Sequence, residues 1–265
     1  MKSHSISRLL FITLAIIICN STHAQGFMKK ILKGNNENKE VALDTIAFSL
    51  EQGINFYPYT INDNQITITG NQSLPNTKEE TIFINTLLYS IDKAERGKEH
   101  ISAIDIEKKE FSVIIEIPSQ FYKENSTYYK YKNTFRITGT TLSFAATEMY
   151  VYYNNIMGDL KEISVDNLNP SKKAKHKNYV NELTANNSIY LSNLFDFIPK
   201  NVPETIKHWN EIQAGKIVKG MNTTECLLSV GKPMHIRKNG NQIKWMVNND
   251  FVVIFENGSV INTIR

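Results

Sequence analysis

Between Ile104 and Tyr153 apolar side chains return at every second position, and few folds tolerate that period. Phe111, Val113, Ile115 and Ile117 alternate until Pro118 stops the run, and Tyr129, Tyr131, Phe135 and Ile137 share one face of the next. Leu142, Phe144 and Ala146, then Met149, Val151 and Tyr153, continue the pattern. Neighbouring strand residues point to opposite sides, so alternation marks an antiparallel sheet with one covered face and one wet face. Lys130, Lys132 and Arg136 then fall on the wet side of the Tyr128–Arg136 stretch. Interleaved aromatics and bases also suit a nucleic-acid platform. A half-buried strand explains the same pattern without a ligand and is the reading adopted.

The cover for such a sheet comes from flanks with helical period. Phe83, Leu87, Ile91 and Ala94 recur at helical spacing behind Thr77-Lys78-Glu79-Glu80, which has the form of a capping box. Gly97 supplies a stop, so residues 77–96 are predicted helical. A second, long helix is predicted over about 172–198, with Val180, Leu183, Tyr190, Leu191, Leu194, Phe197 and Ile198 as its stripe. Before the first helix, strand-like runs stand at 46–50, at Ile54 and Phe56, and at 66–69.

Asn201-Val202-Pro203 breaks the long helix, and a domain boundary is expected there. A short helix from about Glu204 to Ala214 follows, then one capped by Asn222, with Glu225 at its third position and Met221 and Cys226 as a hydrophobic staple. Gly231 and Pro233 end it, and strands follow, joined by turns at Asn239-Gly240 and Asn257-Gly258. The fold class expected is α+β: an antiparallel sheet with flanking helices over 41–200, plus a small C-terminal ααβββ domain over 201–265.

The C-terminal stretch carries a recognisable pattern: Trp209, Ile212, Gly220-Met221-Asn222-Thr223-Thr224-Glu225-Cys226, Gly231-Lys232-Pro233, Lys244-Trp245-Met246-Val247 and Phe255-Glu256-Asn257-Gly258. It resembles the SmpA/OmlA (BamE-like) domain of Gram-negative envelope proteins. That resemblance implies two helices followed by a small antiparallel sheet, and a non-enzymatic module that mediates protein contacts. Residues 66–198 resemble a secreted domain of unknown function with a TBP-like sheet, a name that describes shape and implies no DNA binding.

Residues 1–24 read as a secretory leader, with Lys2 and Arg8 ahead of the apolar run Leu9–Cys19 and with cleavage expected after Ala24. Lipidation at Cys19 competes with that reading, against the bulky Ile16-Ile17-Ile18 before it. Residues 25–40 look like a flexible spacer. Losing the leader lowers the formal charge from +4 to +2, which removes the electrostatic case for nucleic acid. It also leaves Cys226 as the single cysteine, so no internal disulfide is available.

No catalytic motif stands out. His100, His176, His208 and His235 are too scattered for a metal-binding pair. Gly215 to Gly220 has the glycine spacing of a phosphate loop, but Met221 stands where Lys is required. Cys226 is read as a core residue, with a thiolate stabilised at the helix N-terminus as the alternative. No cofactor is expected. The function expected is an exported, non-enzymatic binding or scaffolding protein, periplasmic or outer-membrane-associated, without a spanning helix. Its expected partner is another envelope protein, met through groups around Trp209, Trp245 and Phe255. The basic run Lys172, Lys173, Lys175 and Lys177 would suit an anionic lipid or glycan surface. The alternative is a hydrolase of an envelope or extracellular polymer, using carboxylates such as Asp105, Glu107 and Glu116.

Overall fold

The structure is a computed structural model and describes residues 54–63, 65–93, 101–119, 126–155, 157–168, 170 and 172–265. The leader, Cys19, the 25–40 spacer, the 46–50 strand, Ala94, Gly97 and His100 lie outside the described residues. The chain divides into two units, Met1–Phe56 and Tyr57–Arg265, and every element below belongs to the second.

The alternating stretch builds a sheet of seven described strands: β1 (Tyr59–Asn62), β2 (Gln65–Ser73), β3 (Ile101–Asp105), β4 (Glu110–Pro118), β5 (Tyr128–Thr138), β6 (Thr141–Asn154) and β7 (Leu160–Ser164). Their order is β1-β2-β6-β5-β4-β3, antiparallel throughout, and β7 lies beside the last third of β6. Phe111, Val113, Tyr129, Tyr131, Phe135 and Leu142 are all buried, as the period requires. The period slips once, because Ala146 and Met149 are both buried although three residues apart. Glu148, at φ 49°, is the extra residue of a bulge between the Lys132–Thr147 and Lys130–Tyr150 pairs, so the inward set changes parity there.

Helices α1 (Glu79–Lys93) and α2 (Ala174–Phe197) cover the inner face. The Phe83 ring of α1 meets Phe111 of β4 at 6.0 Å, and Asn187 of α2 bonds Asn133 of β5 at 3.0 Å. The Lys78 carbonyl accepts the first α1 bond, from Ile82 N–H, so the helix starts beyond the expected Thr77 cap. Glu79 is drawn instead to the Gly139 N–H of the β5–β6 turn, at 2.7 Å.

Two shorter helices, α3 (Trp209–Gln213) and α4 (Thr223–Val230), precede a four-stranded antiparallel sheet. Its strands are β8 (His235–Asn239), β9 (Gln242–Asn248), β10 (Phe251–Glu256) and β11 (Ser259–Ile264), in the order β11-β10-β9-β8. The C-terminal part is thus ααββββ. The expected helix from Glu204 shrinks to one turn and a half, because the N–H groups of Lys207 and His208 are taken by the Glu225 carboxylate. The boundary expected near Asn201 falls inside the compact unit. Asn85 of α1 donates to the carbonyls of Ile198 and Asn201 at 2.9 and 2.8 Å, which ties this stretch to the first helix.

Candidate functional site

The C-terminal helix pair is locked by its own sequence. Asn222 caps α4 by accepting Glu225 N–H at 2.8 Å, and the Glu225 side chain accepts Asn222 N–H at 2.8 Å. Glu225 is buried, and its other oxygen also lies 3.0 Å from the His208 ring. Burial raises the Glu225 pKa, but the bonds from Lys207, Asn222 and His208 outweigh it, and the carboxyl sits below its ordinary 4.5. Met221 and Cys226 are both fully buried. Burial, with the Glu225 charge adding to it, pushes the Cys226 thiol up to about 12. The thiolate alternative is therefore overturned: Cys226 is a core group.

Trp245 and Phe255 require a similar correction. They are 6% and 0% exposed and meet at 4.7 Å, forming the small core between sheet and helices. Alternation carries Ile243, Trp245, Val253 and Phe255 to the same inner face, where the last three are buried and Ile243 is half-buried. Trp209 is half-buried, with its ring 5.9 Å from Phe83 of α1. It joins the C-terminal helices to the larger sheet's cover, and part of its ring surface stays open.

The opposite face of the small sheet carries apolar and basic side chains. Register places His235, Met246, Val252 and Ile264 in one row across all four strands. The next row is Arg237, Lys244, Ile254 and Asn262. Met246, Val252 and Ile254 are half-buried, Ile264 is 51% exposed, and Arg237 and Lys244 are exposed. Arg237 and Lys244 stand directly opposite each other, and among the described residues neither pairs with a carboxylate.

The outer face of the large sheet is arranged otherwise. Lys130 meets Glu116 at 3.5 Å, Lys132 meets Glu148 at 3.0 Å, and Arg136 pairs with Glu110. Tyr128 and Tyr152 stack across β5 and β6 at 4.7 Å, 4° from parallel. Every base of the aromatic-basic stretch is neutralised across the strands, as the half-buried strand reading requires.

Of the basic run, Lys172, Lys173 and Lys175 are exposed and Lys177 is half-buried. Lys175 lies over the Tyr153 and Tyr179 rings at 5.7 and 5.5 Å, so part of the run is used within the chain. The hydrolase carboxylates do not converge. Asp105 ends β3 and pairs with Lys108 at 2.7 Å, Glu107 sits in the following turn, off any strand, and Glu116 faces Lys130. Among the described residues no three His, Cys, Asp or Glu side chains could hold one metal ion. No helix among them is long and apolar enough to cross a membrane.

Two features escaped the sequence reading. Glu182 of α2 is buried against the sheet, accepting Ser119 Oγ at 3.0 and 2.9 Å and the Tyr129 hydroxyl at 2.5 Å. The same interior holds further buried polar groups, and among the described residues Asn133 Oδ1, Asn187 Nδ2, Thr127 Oγ1 and the Tyr131 hydroxyl find no partner. The second is the outer row of the small sheet. Its signal was the unbroken apolar run Phe251-Val252-Val253-Ile254-Phe255, which puts apolar groups on both faces of β10.

Two solved structures are similar to this chain. A TBP-like protein from Parabacteroides distasonis ATCC 8503 aligns at 12% identity with a TM-score of 0.47, over 54% of this chain and 98% of that one. A DUF4468 family protein from Bacteroides ovatus ATCC 8483 aligns at 12% identity with a TM-score of 0.42, over 56% of this chain and 94% of that one. No family model and no curated protein matches the chain. The strand order and helix placement of the chain itself carry the α+β assignment.

Proposed function

We propose that this chain is an exported, non-enzymatic binding or scaffolding protein of the Gram-negative cell envelope, and that its C-terminal sheet contacts another protein. One observation carries the reading. Among the described residues the small sheet is covered on the face of Trp245 and Phe255, while its other face sets Met246, Val252 and Ile264 in a continuous row. Contiguous apolar surface on a folded chain marks an interaction site more often than isolated apolar residues do. The leader-like residues 1–24 support export, and the resemblance of 205–265 to the SmpA/OmlA domain supports a contact role. The contact is placed on the outer row and not on Trp245 and Phe255, which are consumed in the core.

The test is a photo-crosslinking residue placed at Val252 in one version of the chain and at Ala145, on the outer face of the large sheet, in another. An adduct with a protein at position 252 and none at 145 supports the reading. No adduct at 252, or equal adducts at both positions, overturns it.

A further inference from the structure

Arg237 and Lys244 form a cross-strand pair of like charges, and such pairs oppose sheet formation. The bases on the outer face of the large sheet are each met by a carboxylate instead, at Glu110, Glu116 and Glu148. The small sheet omits it. The nearest acid on that face, Glu256, pairs across the strands with Gln242, one row further from Lys244, and its oxygen lies 3.4 Å from the Gln242 amide. Beside the two cations runs the apolar row of Met246, Val252 and Ile264. Same-face rows lie two residues apart along a strand, roughly 7 Å.

We infer that the segment docking on this face is an acidic polypeptide. Its carboxylates lie over Arg237 and Lys244, and its aliphatic side chains lie on Met246, Val252 and Ile264. This deepens the proposed contact role and rests on it. An extended segment with acidic and aliphatic side chains two positions apart matches the row spacing, and its carboxylates supply the countercharge the sheet lacks. An anionic lipid surface would supply charge as well. Surface-bound elements, however, bury protruding Trp, Phe or Leu among the headgroups, whereas Met246 and Val252 are half-buried in the pleat and this face carries no aromatic ring except that of His235.

The experiment uses the full chain and three probes: a labelled peptide of alternating Glu and Val, the same peptide with Lys for Glu, and phosphatidylglycerol vesicles. Fluorescence anisotropy at low and high salt reads peptide binding, and co-sedimentation reads vesicle binding. The Glu peptide is expected to bind about tenfold tighter than the Lys peptide at low salt, the product of two exposed ion pairs each worth a factor of about three. Added salt shrinks that preference. Arg237→Glu with Lys244→Glu reverses it, and Arg237→Gln with Lys244→Gln abolishes it, neither with lowered thermal unfolding. Equal binding of the two peptides, or a preference unmoved by the double variants, overturns the inference. Vesicle binding that the Glu peptide does not displace also overturns it, in favour of a lipid surface. The two layers separate cleanly. A crosslink from position 252 that survives Arg237→Glu with Lys244→Glu leaves a protein contact with a non-acidic partner, whereas an absent crosslink removes the contact itself.

Discussion

The two sheets of this protein are finished on opposite sides. The large sheet balances its charges outside, where Lys130, Lys132 and Arg136 each meet a carboxylate, and leaves polar atoms of Asn133, Tyr131 and Asn187 without partners among the described residues inside. The small sheet does the reverse. Its inner face is closed by Trp245, Val253, Phe255 and Val260 against Met221 and Cys226, while its outer face keeps two opposed cations and an apolar row. Water completes a charge-balanced face, but it neither pairs an apolar row nor supplies a countercharge. The small sheet therefore leaves its charge and apolar surface open on the outside, and the large sheet leaves its unmatched polar atoms inside.

The sharpest contrast is between the two faces of β10. Phe255→Ala removes a fully buried ring packed on Trp245, and the expected loss is about 3–5 kcal/mol of unfolding free energy. Val252→Asp, three positions away on the outer face, is expected to stay within about 0.5 kcal/mol of the parent. Urea unfolding of both variants checks the pair. A similar loss from both would mean that the outer row is itself core, and the contrast would fail.

The interior of the large sheet comes next. Glu182→Ala leaves Ser119 and Tyr129 without the carboxylate they donate to, and an unsatisfied buried donor costs about 1–3 kcal/mol. The expected destabilisation is about 2–4 kcal/mol. Glu182→Gln keeps one acceptor oxygen and most of the packing, so its effect should be smaller. An Ala variant as stable as the parent would show that these buried polar groups are not under strain.

These features were unequally legible in the sequence. Alternation exposed the strands from Phe111 to Tyr153, because a half-buried strand writes its burial into a period of two. It could not report the bulge at Glu148, where one residue with positive φ exchanges inside for outside. Asn222 and Glu225 announced the α4 cap because capping is local chemistry. The extent of α3 was hidden, since the Glu225 carboxylate that takes the N–H groups of Lys207 and His208 stands 18 and 17 residues away. Trp245 and Phe255 were misplaced for a related reason. Large aromatics mark contact surfaces and cores alike, and only the register of β9 against β10 says which face they occupy. Glu182 was invisible because a carboxylate within a helix normally faces water, and its hydroxyl partners come from the end of β4 and the start of β5.

Acid tests the helix side of the small sheet. The Glu225 carboxyl is held below 4.5 in the folded chain because the N–H groups around it favour the charged form. A lowered folded pKa stabilises at pH values above the unfolded value, and that stability is lost as pH falls through the folded one. Thermal unfolding should therefore drop as pH falls below 4.5, and Glu225→Gln should flatten that limb while lowering the neutral-pH plateau by about 1 kcal/mol through the weakened cap. A limb unchanged by the substitution would assign acid sensitivity to another carboxylate.

The smallest effect is the one that separates the two outer faces by sign. Lys132→Ala breaks an exposed ion pair with Glu148, and the expected loss is about 0.2–1 kcal/mol. Lys244→Ala removes one of two opposed cations and breaks no pair, so stability should hold or rise slightly. Raising the salt concentration should shrink both differences, because both are exposed and screened. Thermal unfolding of the two single variants at low and high salt reads this directly. If Lys244→Ala destabilises as Lys132→Ala does, then Lys244 has a countercharge within the chain, and the small sheet's outer face is as complete as the large one's. If it stabilises, the chain keeps an unfavourable charge pair on a face whose apolar row already points outward, which is the arrangement the proposed acidic segment would relieve.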